Sequence, residues 1–373
     1  MDDKLVDILR QVNDPELHKD LVTLGMIKRA DLEGSTAKIT VELTTPACPL
    51  KDTILNDIQA ALDRGLPGTT AEVEWTAQVR SGRPGGQGDA SFPRLDGVSN
   101  IVLVASGKGG VGKSTVAVNL ACALARSGCK VGLLDADIYG PSMPTMLDKH
   151  DEVTSSDGKT IDPHTVHGIK VMSMGFFIPP SRAMIWRGPM LHSAVVQFLR
   201  DVNWGELDYL VVDLPPGTGD VQLTFAQQLK VTGAVIVSTP QTVALADVVR
   251  AKAMFDSVKI PILGLVENMA YFVCDGCDKK HWIFDRDGAK HAAEHFEIPI
   301  LGELPLEGAV REGGDRGIPV VEAAPQSSIA AAFLDMAASL AGRISVVSAE
   351  AQAAVTAPTD ESTAGRRSLP IIG

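Results

Sequence analysis

The chain has 373 residues and a formal net charge of −12, and 45% of its residues are hydrophobic but only 5% aromatic. This length allows two or three domains, and the acidic balance argues against nucleic acid as a main partner. The first residues are acidic, whereas a secretory signal peptide would begin with basic residues. No apolar run approaches the roughly 18 residues of a membrane span. Five irregularly spaced cysteines fit a reducing compartment. We therefore predict a cytoplasmic protein with no membrane partner.

Residues 1–80 are predicted to form a small α+β domain. Asp2–Val12 has helical periodicity, and Thr36–Leu43 alternates strictly between apolar and polar side chains, which is typical of a half-buried strand. A second helix should follow to about Arg64, and Ala71–Trp75 is predicted as a closing strand. The segment thus contains enough elements for a domain of its own.

Three residues of this domain could carry chemistry. Cys48 lies in a proline-bounded loop, and the sequence does not decide between metal or cluster handling and a plain loop thiol. Asp14 and Glu16 flank a proline, and we favour turn and cap roles for them.

Residues 98–345 alternate between predicted strands and helices. Repeated βα units of this kind indicate a P-loop NTPase-type α/β domain with a mostly parallel, doubly wound sheet. Residues 81–97, rich in Gly and Pro, are predicted to be a flexible linker, and residues 346–373 a disordered tail. The predicted strands are Ile101–Ala105, Lys130–Asp135, Ile169–Met174, Tyr209–Asp213, Ala234–Thr239, Ile262–Asn268 and Ile300–Leu304.

A phosphate-binding pattern, G-x-x-x-x-G-K-[ST], covers Gly107–Ser114. It follows a buried strand and opens a helix, which is the context that the pattern needs. Its glycines let backbone N–H groups turn toward an anion, and the helix N-terminus adds a partial positive charge. Lys113 should reach the β- and γ-phosphates, and the Ser114 hydroxyl should ligate Mg²⁺. The candidate nucleotide-binding residues are Gly107, Lys108, Gly109, Gly110, Val111, Gly112, Lys113, Ser114 and Thr115.

Further candidates follow other predicted strands. Asp213 ends an apolar strand, where its carboxylate can hold a Mg²⁺-bound water. Gly217 can bring a backbone N–H close to the γ-phosphate, and Asp137, after the second strand, is the other candidate catalytic acid. Asn268 closes a strand and indicates base recognition. ATP is favoured over GTP because no N-K-x-D guanine signature is visible.

Cys274 and Cys277 form a C-x-x-C pair in an aromatic-flanked loop. Such a pair can act as a redox dithiol or supply half of a zinc site or half of an iron–sulfur site. A redox dithiol would open a helix, and the residues after Cys277 show no helix start. Cys122 and Cys129 fall on apolar segments and are predicted to be core residues. The chain therefore supplies half of a metal site, which a twofold dimer would complete.

Residues from about 98 to 325 resemble the Mrp/ApbC iron–sulfur cluster carrier ATPases of the MinD-like superfamily, and the amino-terminal segment resembles SufT-like domains. The matching stretches are KGGVGKST, LLDADIYGPS, VVDLPPGTGD, ENMAYFVCDGC and GELPLE. The resemblance implies that Lys108 reaches the partner's nucleotide, that Asp137 orients the attacking water and that Asn268 contacts adenine. It also implies a homodimer that hydrolyses ATP and holds a 4Fe–4S cluster between its C-x-x-C pairs. That cluster would come from an upstream assembly scaffold and pass to apo-proteins.

Three alternatives stay open at this stage. A MinD/ParA-like positioning ATPase with a structural zinc site shares the phosphate loop. An electron-transfer ATPase like the nitrogenase iron protein would place single cysteines far apart in sequence. A zinc-stapled dimer without cluster transfer would use the same C-x-x-C pair.

Overall fold

Two separate sheets organise the fold, one of three strands and one of eight. The computed structural model describes residues 1–83, 95–177, 188–217, 222–223, 229–286 and 288–356. Most of the predicted linker and the last part of the predicted tail lie outside these residues.

The amino-terminal segment folds as an α+β unit. Its middle strand follows the predicted alternation, with Ala37, Ile39, Val41 and Leu43 buried. The first two strands pair antiparallel, and the second and third pair parallel. The two helices cover one face of this sheet with buried leucine and isoleucine side chains. The elements are α1 (Asp3–Leu9), β1 (Ile27–Glu33), β2 (Thr36–Leu43), α2 (Lys51–Gly65) and β3 (Thr70–Ala77).

The large sheet is parallel except at one edge, which confirms the predicted fold class. Its strands are β4 (Val98–Ala105), β5 (Val131–Asp135), β6 (His164–Val166), β7 (Ile169–Ser173), β8 (Leu207–Asp213), β9 (Gly233–Ser238), β10 (Ile262–Glu267) and β13 (Ile300–Glu303). They lie in the order β13-β10-β9-β4-β8-β5-β7-β6, and only β6 runs antiparallel to its neighbour. A separate small hairpin consists of β11 (Phe272–Val273) and β12 (Lys280–His281). The central strand β4 is buried along its whole length.

Helices connect these strands. They are α3 (Lys113–Arg126), α4 (Met143–Met146), α5 (Gly188–Asp201), α6 (Thr242–Ser257), α7 (Gly288–Phe296), α8 (Gly308–Asp315), α9 (Val320–Ala323) and α10 (Ser328–Thr356). The last helix packs against α3 and β13. It also corrects one expectation, because residues 346–356 belong to α10 and not to a disordered tail. Alanine-rich sequence favours a helix as readily as a flexible segment, so composition alone did not place this boundary.

Helix α10 also corrects our expectation about apolar runs. The stretch Ser328–Glu350 is long and apolar enough to cross a membrane by length and composition, with a mean hydropathy of 1.5. In the structure 56% of this apolar stretch is buried. Phe333, Met336 and Leu340 belong to the core under the large sheet, which accounts for the apolar composition.

The small domain is joined to the large one by the loop Thr44–Ala47. The Tyr209 hydroxyl of β8 donates a hydrogen bond to Thr45 Oγ1 over 3.1 Å, and the Ser345 hydroxyl of α10 donates to Thr44 Oγ1 over 2.9 Å. Ala47 is buried among the core residues of the large domain. The loop therefore lies where β8 and α10 meet.

The described ends of the predicted linker are packed and not free. Arg83 is 2% exposed, and its guanidinium donates to the carbonyl oxygens of Leu95, Val98 and Lys230 over 2.9, 3.2 and 2.9 Å. A buried arginine with backbone acceptors holds both ends of the segment on the large domain. Gly- and Pro-rich composition did not reveal this anchor.

Candidate functional site

The phosphate loop lies between the carboxyl end of β4 and the start of α3. Gly112 caps α3 with φ +80°, a left-handed conformation that favours glycine, and Val111 is buried and fixes the loop to the core. A Cβ at Gly107 would collide with the backbone of Asp247 on α6, so this position also requires glycine. Gly109 and Gly110 are exposed at the tip of the loop. Backbone N–H groups at this helix start form the anion site that the sequence predicts.

Lys113 and Asp213 form a buried ion pair beneath this loop. The Lys113 ammonium also donates to the Ser114 hydroxyl over 3.3 Å. Asp213 is fully buried, and its Oδ2 has no hydrogen-bond partner among the described residues. An unsatisfied carboxylate oxygen beside a helix-start hydroxyl fits a hydrated Mg²⁺, which prefers oxygen ligands. Ser114 and Asp213 are therefore the residues that would hold this ion.

A second buried carboxylate, Asp135 at the end of β5, was not among the predicted site residues. Its Oδ2 accepts hydrogen bonds from the Ser142 and Met143 N–H groups and from the Ser173 hydroxyl, over 3.0, 3.2 and 2.9 Å. Its Oδ1 accepts from the Asp137 N–H over 3.1 Å. Asp135 thus closes both ends of the loop that carries Asp137. Its signal in the sequence was an acid ending an otherwise apolar strand.

Burial governs the protonation of the two strand-end acids. It raises the pKa of Asp135 and that of Asp213, and in Asp213 the Lys113 ammonium opposes the rise. The charge on Asp213 also raises the pKa of Asp135. A cation between or beside these acids would therefore relieve the repulsion between their charges.

The remaining loop candidates lie around the same edge of the sheet. Gly217 has φ +95°, and its N–H donates to the Ser106 carbonyl over 3.0 Å, immediately before the phosphate loop. Thr218 to Asp220 lie outside the described residues. Asp137 is half-buried, and its Oδ1 accepts from the Gly140 N–H over 3.1 Å. The Lys108 side chain makes no hydrogen bond or ion pair within the described parts of the chain.

Asn268 joins the phosphate loop to an adjacent cleft of about 500 Å³. Its amide nitrogen donates to the Val111 carbonyl over 2.9 Å. Gly112 and Thr115 lie on the phosphate-loop side of this cleft, and Met269, Pro305, Leu306 and Glu307 lie on the other side. The walls combine apolar side chains with a few polar groups, as ligand pockets usually do. The cleft can hold the part of a nucleotide that extends beyond its phosphates.

Cys274 and Cys277 lie in the turn of the β11–β12 hairpin. The Cys274 carbonyl accepts hydrogen bonds from the N–H groups of Cys277 and Asp278, over 3.3 and 2.9 Å. Cys274 is half-buried and Cys277 is exposed. The Gly276 N–H, followed by the Cys277 thiol and N–H, lowers the pKa of Cys274 below its usual value. A lower thiol pKa favours the thiolate, which is the form of cysteine that binds metals.

The cysteine pair has no further metal-binding side chain beside it among the described residues. Within the described residues, no three or more His, Cys, Asp or Glu side chains come together in a metal-binding group. Cys122 and Cys129 are buried, and burial raises their pKa values to about 12 and about 11. They occupy the core as the sequence predicted.

Cys48 lies apart from this edge of the sheet, in the small domain. Burial raises its pKa, and Glu16 and Asp14 add to the rise. Asp14 accepts hydrogen bonds from the Glu16 and Leu17 N–H groups over 2.9 and 2.8 Å, which is the turn role that we favoured. The pKa of the Cys48 thiol is thus raised, whereas that of Cys274 is lowered.

Comparison with known proteins decides the family. A family model described as the NUBPL iron-transfer P-loop NTPase matches residues 97–341, and one described as an iron–sulfur cluster assembly protein matches residues 2–75. An iron–sulfur cluster carrier protein from Deinococcus radiodurans is 52% identical over 348 residues, covering 93% of this chain and 96% of that protein. The chain belongs to the iron–sulfur cluster carrier family of P-loop NTPases.

Solved structures agree with this assignment. A nucleotide-binding protein from Archaeoglobus fulgidus in complex with ADP is 42% identical, covering 60% of this chain and 88% of that chain with a TM-score of 0.54. The cell division ATPase MinD from Pyrococcus furiosus is 25% identical, covering 65% of this chain and 98% of that chain with a TM-score of 0.50. The predicted family resemblance is therefore confirmed. In this carrier family member, the nucleotide loop and the cysteine pair follow strands of one sheet.

Proposed function

We propose that this protein is an ATP-dependent carrier that binds a 4Fe–4S cluster between two copies of the chain and delivers it to apo-proteins. The observation that supports this most directly is a cysteine pair on a hairpin turn, half-buried at Cys274 and exposed at Cys277, with no third ligand nearby in the described chain. The pair follows a strand of a P-loop NTPase sheet. Membership of the iron–sulfur cluster carrier family supports an iron–sulfur cluster as the cargo of this pair. An upstream scaffold would supply the cluster in the cytoplasm.

ATP binding would begin by breaking the Lys113–Asp213 ion pair. The phosphates of ATP offer the Lys113 ammonium several negative oxygens, and the helix start adds N–H donors. Asp213 and Ser114 would then hold Mg²⁺, which neutralises phosphate charge when it is bound. The buried Lys113 ammonium would in this way exchange one carboxylate partner for the phosphate oxygens.

Hydrolysis would proceed by attack of water on the γ-phosphorus, with cleavage of the bond to the β–γ bridging oxygen and release of ADP and phosphate. Asp137 would orient the attacking water, and Lys108 of a second copy would stabilise the developing charge on the γ-phosphoryl oxygens. Lys108 suits this role because it lies on the phosphate loop without a partner of its own in the described chain. Asn268 would contact adenine from the wall of the cleft.

The cluster would be held by four thiolates, since each iron of a 4Fe–4S cluster takes one cysteine ligand. Cys274 and Cys277 supply two, and a twofold dimer supplies two more. The loops that follow β5 and β8 adjoin the nucleotide, so loss of the γ-phosphate would alter dimer geometry and cluster access. ATP turnover would in this way control cluster release.

The decisive experiment is anaerobic reconstitution with iron and sulfide, followed by incubation with an apo-enzyme with and without Mg²⁺–ATP. We expect a brown protein absorbing near 400 nm, about one cluster per dimer, and recovery of the client's activity that depends on ATP. A colourless protein that binds zinc alone, or cluster transfer that ignores the nucleotide, would contradict the proposal.

A further inference from the structure

The cysteine hairpin is too small to hold its own position. Strands β11 and β12 have two residues each, and their pairing is limited to Phe272 with His281 and Val273 with Lys280. Isolated two-stranded hairpins are marginally stable even when longer. The placement of Cys274 therefore depends on how the hairpin is attached to the large domain.

The attachment begins in the walls of the nucleotide cleft. The Ala270 N–H donates to the Leu304 carbonyl over 2.9 Å, and the Leu306 N–H donates to the Tyr271 carbonyl over 2.7 Å. These two bonds extend the pairing of β10 with β13 beyond the sheet. Leu306 and Met269, which flank this ladder, line the cleft. The hairpin thus continues directly from two walls that a nucleotide would contact.

Tyr271 connects this ladder to the far strand of the hairpin. The ammonium of Lys280, on β12, lies 4.0 Å from the centre of the Tyr271 ring. A cation at that distance over an aromatic face is held by the ring quadrupole. Tyr271 therefore contacts both sides: its carbonyl accepts a hydrogen bond from Leu306 of the cleft wall, and its ring lies against Lys280 of β12.

The chain bends sharply between the cleft and this contact. Met269 has φ +57°, a left-handed conformation that a bulky side chain adopts only under constraint. The residue before it, Asn268, is fixed to the phosphate loop through the Val111 carbonyl. A change at the phosphate loop or in the cleft therefore acts on a strained segment that ends in Tyr271.

We propose that Tyr271 is a positioning residue that couples occupancy of the nucleotide cleft to exposure of the Cys274 and Cys277 thiols. A nucleotide that contacts both cleft walls favours one arrangement of the ladder, and the Tyr271–Lys280 contact makes the hairpin follow. This inference deepens the proposed carrier function and rests on it for its biological meaning. The coupling itself can be measured on cluster-free protein.

The test is the alkylation rate of Cys274 and Cys277 in cluster-free protein, followed by mass spectrometry with and without saturating Mg²⁺–ADP. ADP fills the cleft but lacks the γ-phosphate. In the unmodified protein we expect ADP to slow alkylation by about fivefold or more, a typical coupling between two sites. Tyr271→Ala and Lys280→Met should each reduce the ADP effect to less than about twofold, measured at an ADP concentration that saturates each variant. Saturation is checked for each variant because loss of the coupling can itself alter ADP affinity by up to the coupling factor.

Conservative and distant variants complete the design. Tyr271→Phe keeps the ring and Lys280→Arg keeps the cation, so both should preserve the ADP effect. Lys252→Met removes a similar contact between helices, where the Lys252 ammonium lies 5.8 Å from the Phe296 ring, and should also preserve it. A loss of the ADP effect that Tyr271→Phe fails to rescue would overturn the role of the ring contact.

The proposal also fails if ADP binds but does not alter alkylation in the unmodified protein, or if Tyr271→Ala and Lys280→Met both keep the full effect. Lys280 is exposed, so the Lys280 variant remains informative even if Tyr271→Ala does not fold. Failure of the carrier function would appear separately, as absence of cluster transfer with the alkylation result intact.

Discussion

The phosphate loop and the cysteine hairpin follow strands of the same sheet, but they are held in different ways. The loop is fixed by a fully buried strand, by the buried Val111 and by a buried Lys113–Asp213 pair. The hairpin has two-residue strands, an exposed Cys277 and an aromatic–cation contact between Tyr271 and Lys280. Within one chain, the first carries Lys113 and the backbone N–H groups that we propose for phosphate binding. The second carries two of the four thiolates that the proposed cluster needs.

This difference suits a domain that binds a nucleotide with high affinity and holds a cargo reversibly. A donor set that is complete and buried gains affinity from preorganisation. A donor set that is incomplete needs a second copy, so its affinity depends on how the two copies are arranged. The variants below separate the two regions.

The largest effect is expected from Lys113→Ala, which acts on the phosphate loop alone. ATP hydrolysis, measured by phosphate release, should fall by at least about 100-fold because the charge that meets the phosphates is lost. Circular dichroism should show the fold retained, since the raised pKa of Asp213 lets that carboxyl take up a proton. Unchanged hydrolysis would defeat the assignment of the loop.

Cys274→Ala should act on the hairpin alone. Iron content after anaerobic reconstitution should fall to background in the whole dimer, because the remaining thiolates no longer complete a four-ligand site. ATP binding should be unchanged. Cys48→Ala is the matched control and should keep full iron content. If the two variants exchange these results, Cys48 is the ligand.

Lys108→Ala tests whether the two regions share a dimer. Nucleotide should still bind, since Lys113 and the loop N–H groups remain, but turnover should fall by about 10- to 100-fold if Lys108 acts as an arginine finger does. The exposed Lys130→Ala is a control for lost positive charge. Normal turnover in Lys108→Ala would remove the role of a second copy in hydrolysis.

The smallest effect concerns pH. The pKa of Cys274 is lowered by the Gly276 N–H and by Cys277, and the pKa of Cys48 is raised by burial. Because the thiolate is the reactive form, alkylation of Cys274 should level off at a lower pH than alkylation of Cys48. Rate profiles from about pH 6 to 9, resolved by mass spectrometry, would show the two curves in this order. Coincident curves would contradict the proposed environment of Cys274.

Sequence patterns predicted the strand, glycine loop and helix around Lys113 correctly because this succession is local. A strand, a glycine loop and a helix in succession fix the placement of Lys113 and Ser114 without distant contacts. The alternation in β2 was equally local and matches the buried residues of that strand. Asp135 was missed because its role comes from Ser173 and from the loop ending at Met143, which only the folded chain brings together.

The edge elements were harder to predict for the same reason. Strand β6 is three residues long and pairs antiparallel with β7, and nothing in so short a stretch distinguishes it from a loop. The extension of α10 past residue 345 and the packing of Arg83 depend on tertiary contacts. Composition alone therefore placed neither the end of α10 nor the anchor at Arg83.

The loop Thr44–Ala47 has a consequence for anyone who divides this chain. Removing the first 80 residues would take away the Thr45 hydroxyl. Its oxygen accepts the hydrogen bond of Tyr209 and lies 4.0 Å from the Cys129 sulfur. Cys129 owes its pKa of about 11 mainly to burial, so a shortened protein would gain a thiol open to oxidation. In such a fragment, the Cys129→Ser substitution would keep this thiol from reacting alongside Cys274 and Cys277 when reactive thiols are measured.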